Sequence, residues 1–320
     1  MKKTLKAIVA LALVAVLAVS FAGCAKINYV TNGAIQAIHE IKSGDWQKTD
    51  EAADDASTDE DTSVLEASFT AGTYGGVEFN DLNDVAAYYK EAYDYTKTLT
   101  AQYKNADGGT ETFYAFLGED DLQLETILID GKENATINNL VPGIMGGLFS
   151  KQVNGLPPAK NRNPELDKDD EGQDFRVSYL TGDDLLDANV VDNGDGTITI
   201  TMQPKATEMS VPGKDAQGHM FSTLGDIGPT VNSISVVSFA QGDYTDNIKV
   251  SYKGGTAIVK INTANKEIVE AEYTEIAYVS VTHANITVIR DKSASLTIKY
   301  WQKFPCTDEY MQETKGITRA

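Results

Sequence analysis

The chain has 320 residues, a formal net charge of −20 and two cysteines. That length supports one large domain or two small ones with a true core. The acidic balance argues against nucleic acid as a partner and against lying flat on an anionic membrane.

The amino end carries Lys2, Lys3 and Lys6, then an uncharged apolar run, "AIVALALVAVLAVSFAG", from Ala7 to Gly23. A basic stretch followed by an apolar one is the layout of an export signal. A transmembrane helix competes, because the run approaches the ~17–25 residues that span a bilayer. Small residues Ala22 and Gly23 directly before Cys24 favour cleavage. "FAGC" resembles the lipobox of bacterial lipoproteins, with Phe21 where Leu is usual. The resemblance implies that residues 1–23 are a lipoprotein signal peptide. It also implies that Cys24 is the lipid attachment point and the first mature residue. The protein would then sit on the extracytoplasmic face of the cell membrane, acylated (palmitate is the natural label) but not spanning. The other reading is an ordinary export signal with an incidental cysteine. If Cys24 is lipidated, Cys306 has no disulfide partner; a buried, inert thiol is expected there. No cofactor and no metal site is expected.

Residues 24–48 predict a juxtamembrane helix. Ile35, Ile38 and Ile41 recur at helical spacing, Thr31 or Asn32 can cap its start, and Gly44 can end it. Residues 49–63 hold seven acids and no basic or aromatic residue, the composition of a disordered acidic linker. A single α+β domain is expected over 64–305, with 306–320 as a C-terminal tail.

Within the domain, a helix is expected over 80–96, capped by Asn80 or Asp81. Its apolar stripe is Leu82, Val85, Ala86, Tyr89 and Tyr93, with Tyr88 and Tyr95 off it. Strands follow in "TLTAQYK", "TETFYAFLG" and "LQLETILID". Residues 137–152 are apolar and read as a helix weakened by Gly143, Gly146 and Gly147, each costing ~1 kcal/mol relative to Ala. Leu140, Val141, Ile144, Met145, Leu148 and Phe149 are the candidate lining of a ligand cavity. Residues 155–174, with three prolines and six acids, read as a long surface loop and the best internal boundary. "DNGDGT" is a hairpin turn, since a calcium loop counted from Asp192 would put Gly194, Gly196 and Gln203 at ligand positions. From Tyr244 the chain reads as an antiparallel meander. Its turns are expected at Lys253-Gly254-Gly255, at 263–266 and in "RDKSAS". Val269, Ala271 and Tyr273 share one face. A strand over 267–283 would be long enough to need strong curvature or a break near Glu275.

His39, His219 and His283 belong to no catalytic motif, and no phosphate or dinucleotide loop is present. The chain is therefore read as non-enzymatic. The fold class expected is α+β: a large curved antiparallel sheet, half-barrel-like, with a few helices on one face. The meander 244–304, the helix 80–96 and the segment 137–150 together resemble LolA/LppX-type lipoproteins. That resemblance implies carriage of a hydrophobic small molecule, with 137–150 as a mobile lid. The alternatives are a surface interaction or structural module, with a protein partner the sequence does not name, and a transporter-associated solute-binding protein.

Overall fold

The computed structural model describes residues 61–133, 151–159, 161–169, 171–225, 237–286 and 289–320. Cys24, His39, the helix expected over 24–48, most of the acidic linker and the six candidate lining residues from Leu140 to Phe149 lie outside these. The described part is α+β, built on a large antiparallel sheet.

A short hairpin, β1 (Gly72–Tyr74) and β2 (Val77–Phe79), leads into helix α1 (Leu82–Thr98). Asp81 caps α1 by accepting from the N–H groups of Asn83 and Asp84, which would otherwise lack partners. Its buried face includes Val85, Ala86, Tyr89, Ala92 and Tyr93. Tyr88, expected off the stripe, is also buried, edge-on to Phe79 at 5.4 Å between ring centroids. The hairpin covers that side of the helix and widens its buried face. Tyr95 stays exposed.

Strands β3 (Thr100–Lys104) and β4 (Thr110–Tyr114) form a hairpin. Then come β5 (Gly118–Ile129), β6 (Lys132–Glu133) and β7 (Val153–Asn154); β6 and β7 pair with opposite ends of β5. After two short 3₁₀ turns come β8 (Leu185–Asp192), β9 (Thr197–Pro204), β10 (Thr207–Glu208) and the one-turn helix α2 (Ala216–Met220). "DNGDGT" joins β8 to β9 as a hairpin, with Gly194 and Gly196 at positive φ. The last part of the sheet is β11 (Val237–Phe239), a helical turn α3 (Tyr244–Asn247), β12 (Ile248–Tyr252), β13 (Thr256–Asn262), β14 (Ile268–Ile286) and β15 (Ile289–Phe304). Helix α4 (Asp308–Lys315) and β16 (Thr318–Arg319) close the chain. The main sheet path is β6-β5-β15-β14-β13-β9-β8.

Several features differ from the sequence reading. Lys253-Gly254-Gly255 is not a hairpin turn. β12 and β13 both pair with β14, from Tyr252↔Ala277 and from Thr256↔Thr274. Three residues therefore face two, Glu275 and Ile276, and the pair reads as one strand with a bulge. Gly254 at φ +73° supplies the left-handed residue that such a bulge needs. β14 runs unbroken through Glu275 because its partner strand absorbs the irregularity. "RDKSAS" lies inside β15; positive φ at Asp291 and His283 marks register shifts there. Val269 is exposed, because a bulge at Lys260/Ile261 skips it and turns Ile268 inward instead.

Residues 155–159 are buried rather than a surface loop, and Asp167 is fully buried. The segment is a seam, not a boundary. At the other end of the acidic linker, residues 61–63 are docked. The Gln203 side chain donates to the Thr62 carbonyl, the Ser63 hydroxyl donates to Asp187, and Asp61 accepts from the Ala206 N–H. Residues 306–320 are folded in: β16 pairs with β3, and Met311 and Ile317 pack with Tyr103, Phe113, Tyr114 and Cys306.

The main core lies between α1 and one half of the sheet. Tyr89 and Tyr93 share this core with Ile198, Ile200 and Met202 of β9, Val259 and Ile261 of β13, and Ala271 and Tyr273 of β14. Full burial of each large side chain stabilises by roughly 1.5–3 kcal/mol. The Tyr89 and Tyr273 hydroxyls share a hydrogen bond of 2.9 Å, so this aromatic core leaves neither polar tip orphaned.

Candidate functional site

The core under α1 takes Ile268, Ala271 and Tyr273 from β14 and Phe304 from β15, and nothing further along either strand. Beyond it the same sheet face continues. Side chains alternate along a strand, and directly opposed antiparallel residues share a face. Ala277, Val279 and Val281 of β14 therefore stand beside Ile298, Leu296 and Ala294 of β15. Tyr252, Val250 and Ile248 of β12 flank them on one side, and Leu124 and Ile127 of β5 on the other. This is an apolar strip about 20 Å long along β14, taking ~3.4 Å per residue from Glu275 to Val281. Its side chains on β12 and β14 are buried.

Glu275 stands at the head of the strip, where the strip meets the core under α1. It occupies an inward position between Tyr273 and Ala277, is 1 % exposed, and faces Tyr300 across the β14–β15 pair. Among the described residues neither carboxyl oxygen has a hydrogen-bond partner. Burial alone pushes its pKa up to about 8. Of the phenols beside it, Tyr300 is committed as a donor elsewhere, while Tyr252 is engaged only as an acceptor. The Tyr300 hydroxyl donates to Asp120 Oδ2 at 2.8 Å, and the Tyr252 hydroxyl accepts from the Leu224 N–H at 3.1 Å. Asp120 also accepts from the Tyr310 hydroxyl at 2.8 Å and the Gln152 N–H at 2.7 Å; burial raises its pKa against those bonds. Two carboxyls thus sit on this stretch of inner face, one fully bonded and one without partners among the described residues.

A second buried polar group lies at the seam. Lys97 Nζ meets Asp167 Oδ2 at 2.8 Å, and both side chains are buried. The Tyr114 hydroxyl donates to the same oxygen at 2.8 Å, and the Asn161 N–H to the other at 3.2 Å. The Lys97 ammonium lies 4.1 Å from the Tyr114 ring centroid, a cation–π contact. Burial pulls the pKa of Lys97 down to about 8, against the pull of Asp167. Every charge here has partners. The cluster ties the end of α1 to β4 and to the segment 155–175, and its role is structural.

The other sequence candidates do not converge. His219 Nδ1 lies 3.0 Å from Asp184, and His283 Nδ1 lies 2.7 Å from Asp291. Cys306 is a free, buried thiol whose pKa burial pushes up to about 12, so it is unreactive at neutral pH. Among the described residues no group of His, Cys, Asp and Glu is placed to hold a metal ion, and no helix is long and apolar enough to cross a membrane.

The sequence reading passed over Glu275. The signal was available: an inward Ala271 and Tyr273 puts residue 275 on the same face, provided the strand does not break. No protein-family model matches the chain, and no curated protein or solved structure matches it either.

Proposed function

We propose that this chain is a lipid-anchored extracytoplasmic protein, attached through Cys24, whose curved, half-barrel-like sheet carries a hydrophobic small molecule. The strip from Glu275 to Val281 is the observation that carries the ligand half of this reading. It is an apolar stretch of sheet face outside the core that α1 builds. The sequence between β6 and β7 is apolar and glycine-rich, and it begins and ends on β5, the strand beside the strip. The anchor half rests on the basic and apolar segments and "FAGC". Two or more acyl chains hold a protein stably on a bilayer, whereas one is marginal.

A second reading, a surface interaction module with a filled sheet face, is favoured by the low exposure of the strip's residues. It keeps the anchor and drops the ligand.

The anchor has a direct test. Cells fed radiolabelled palmitate are expected to label the chain, and Cys24→Ser is expected to abolish the label. Label that survives the substitution contradicts lipid attachment at Cys24.

A further inference from the structure

We propose that Glu275 is the polar end of the ligand site and selects an amphiphile bearing an amine, its ammonium on the carboxylate and its hydrocarbon tail along Ala277, Val279 and Val281. The inference rests on the reading of the strip as a ligand site and adds the chemical class of the ligand.

Three observations meet at this residue. The carboxyl is 1 % exposed and neither oxygen is bonded among the described residues, although a buried carboxyl normally finds donors. It heads a strip that is otherwise apolar. The Lys253–Gly255 bulge lies directly opposite, and bulges gather where a sheet re-aims a side chain beside a site.

The neighbours decide the sign of the missing partner. β15 presents Tyr300, β12 presents Tyr252, and β5 contributes Asp120 one strand beyond Tyr300. Asp215, the cap of α2, acts on Tyr252 as a further negative charge. Lys253 is in the bulge, but its ammonium lies 5.5 Å from the ring centroid of Tyr278, which is on the outer face. Lys315 donates to the Gln152 side chain and acts on Asp120. Glu275 itself has no ion pair among the described residues. An anionic head group would meet two carboxyls. A neutral alcohol could bond to Glu275 but leaves any ionised form unneutralised. An ammonium supplies three donors and the opposite charge, the strong form of the bond at a buried carboxyl.

The test is calorimetric titration of the mature chain carrying Cys24→Ser with dodecylamine, dodecanol and dodecanoate. Dodecylamine is expected to bind at least about tenfold more tightly than dodecanol, the scale of one charge-assisted hydrogen bond, with dodecanoate weakest. Because binding as an ion pair releases the Glu275 proton, amine affinity is expected to rise between about pH 6 and about pH 8. Glu275→Gln is expected to remove the preference for the amine over dodecanol and its pH dependence. Unchanged circular dichroism identifies that variant as folded. Equal binding of amine and alcohol, or an amine preference that survives Glu275→Gln, overturns this inference alone. No binding of any of the three overturns it together with the apolar-ligand reading.

Discussion

Asp167→Ala is expected to lower unfolding stability by about 3–5 kcal/mol, the scale of breaking a buried ion pair from one side. The loss comes less from the attraction removed than from what is left behind. Lys97 would remain 3 % exposed without the carboxylate it contacts. The Tyr114 hydroxyl and the Asn161 N–H would each lose an acceptor. Lys97 cannot swing out cheaply, since it lies against the Tyr93 and Tyr114 rings and a Cβ at Gly155 would already stand 3.0 Å from its nitrogen. Replacing both partners, as Lys97→Met with Asp167→Leu, is expected to cost less than Asp167→Ala alone, because no buried charge is then orphaned. Urea unfolding of the three variants checks this. A loss under about 0.5 kcal/mol for Asp167→Ala, the range of ordinary surface changes, contradicts the structural role assigned to the cluster.

Glu275→Gln is expected to have the opposite sign, and its effect should grow with pH. In the unfolded chain Glu275 titrates near the ordinary glutamate value of 4.5; in the folded protein burial holds the proton to about 8. Between those values the folded state binds more protons than the unfolded one, so stability falls as pH rises, by up to ~1.4 kcal/mol per pH unit from this group. Its stability contribution is fully present below about pH 4.5 and is lost by about pH 8. Gln keeps the shape and removes the titration. Denaturant midpoints measured from about pH 5 to about pH 8 should fall more steeply for the parent chain than for Glu275→Gln, which becomes the more stable protein at the upper end. Parallel curves would mean that Glu275 is not held protonated by burial.

Neither group is legible in the sequence, whereas the locally encoded elements are, for physical reasons. α1 was readable because helix signals are local: a cap at Asp81 and a stripe at period 3–4 sit within 18 residues. The β8–β9 hairpin was readable because Asn-Gly and Asp-Gly encode positive φ. The bulge at Lys253–Gly255 was not, since Gly-Gly between two alternating runs serves a hairpin or a bulge equally well. Only pairing with β14 decides, and that contact is non-local. Reading a turn there also invited a break near Glu275, which hid the carboxyl's inward placement. Asp167 was hidden by company: it lies among six acids in a proline-bearing stretch that reads as surface loop. One of the six is buried because Lys97, 70 residues earlier, meets it. Val269 shows the same limit on a smaller scale. Its alternation with Ala271 and Tyr273 is perfect in sequence, and one bulge turns it outward.

The measurement that bears most directly on the proposed function is native mass spectrometry of the lipid-anchored chain after gentle purification, with an added apolar probe as a second arm. An apolar carrier is expected to retain a non-covalent hydrophobic mass, or to take up the probe at about one per chain. A bare protein mass together with no probe uptake would contradict the carrier and leave the filled-face interaction module in its place.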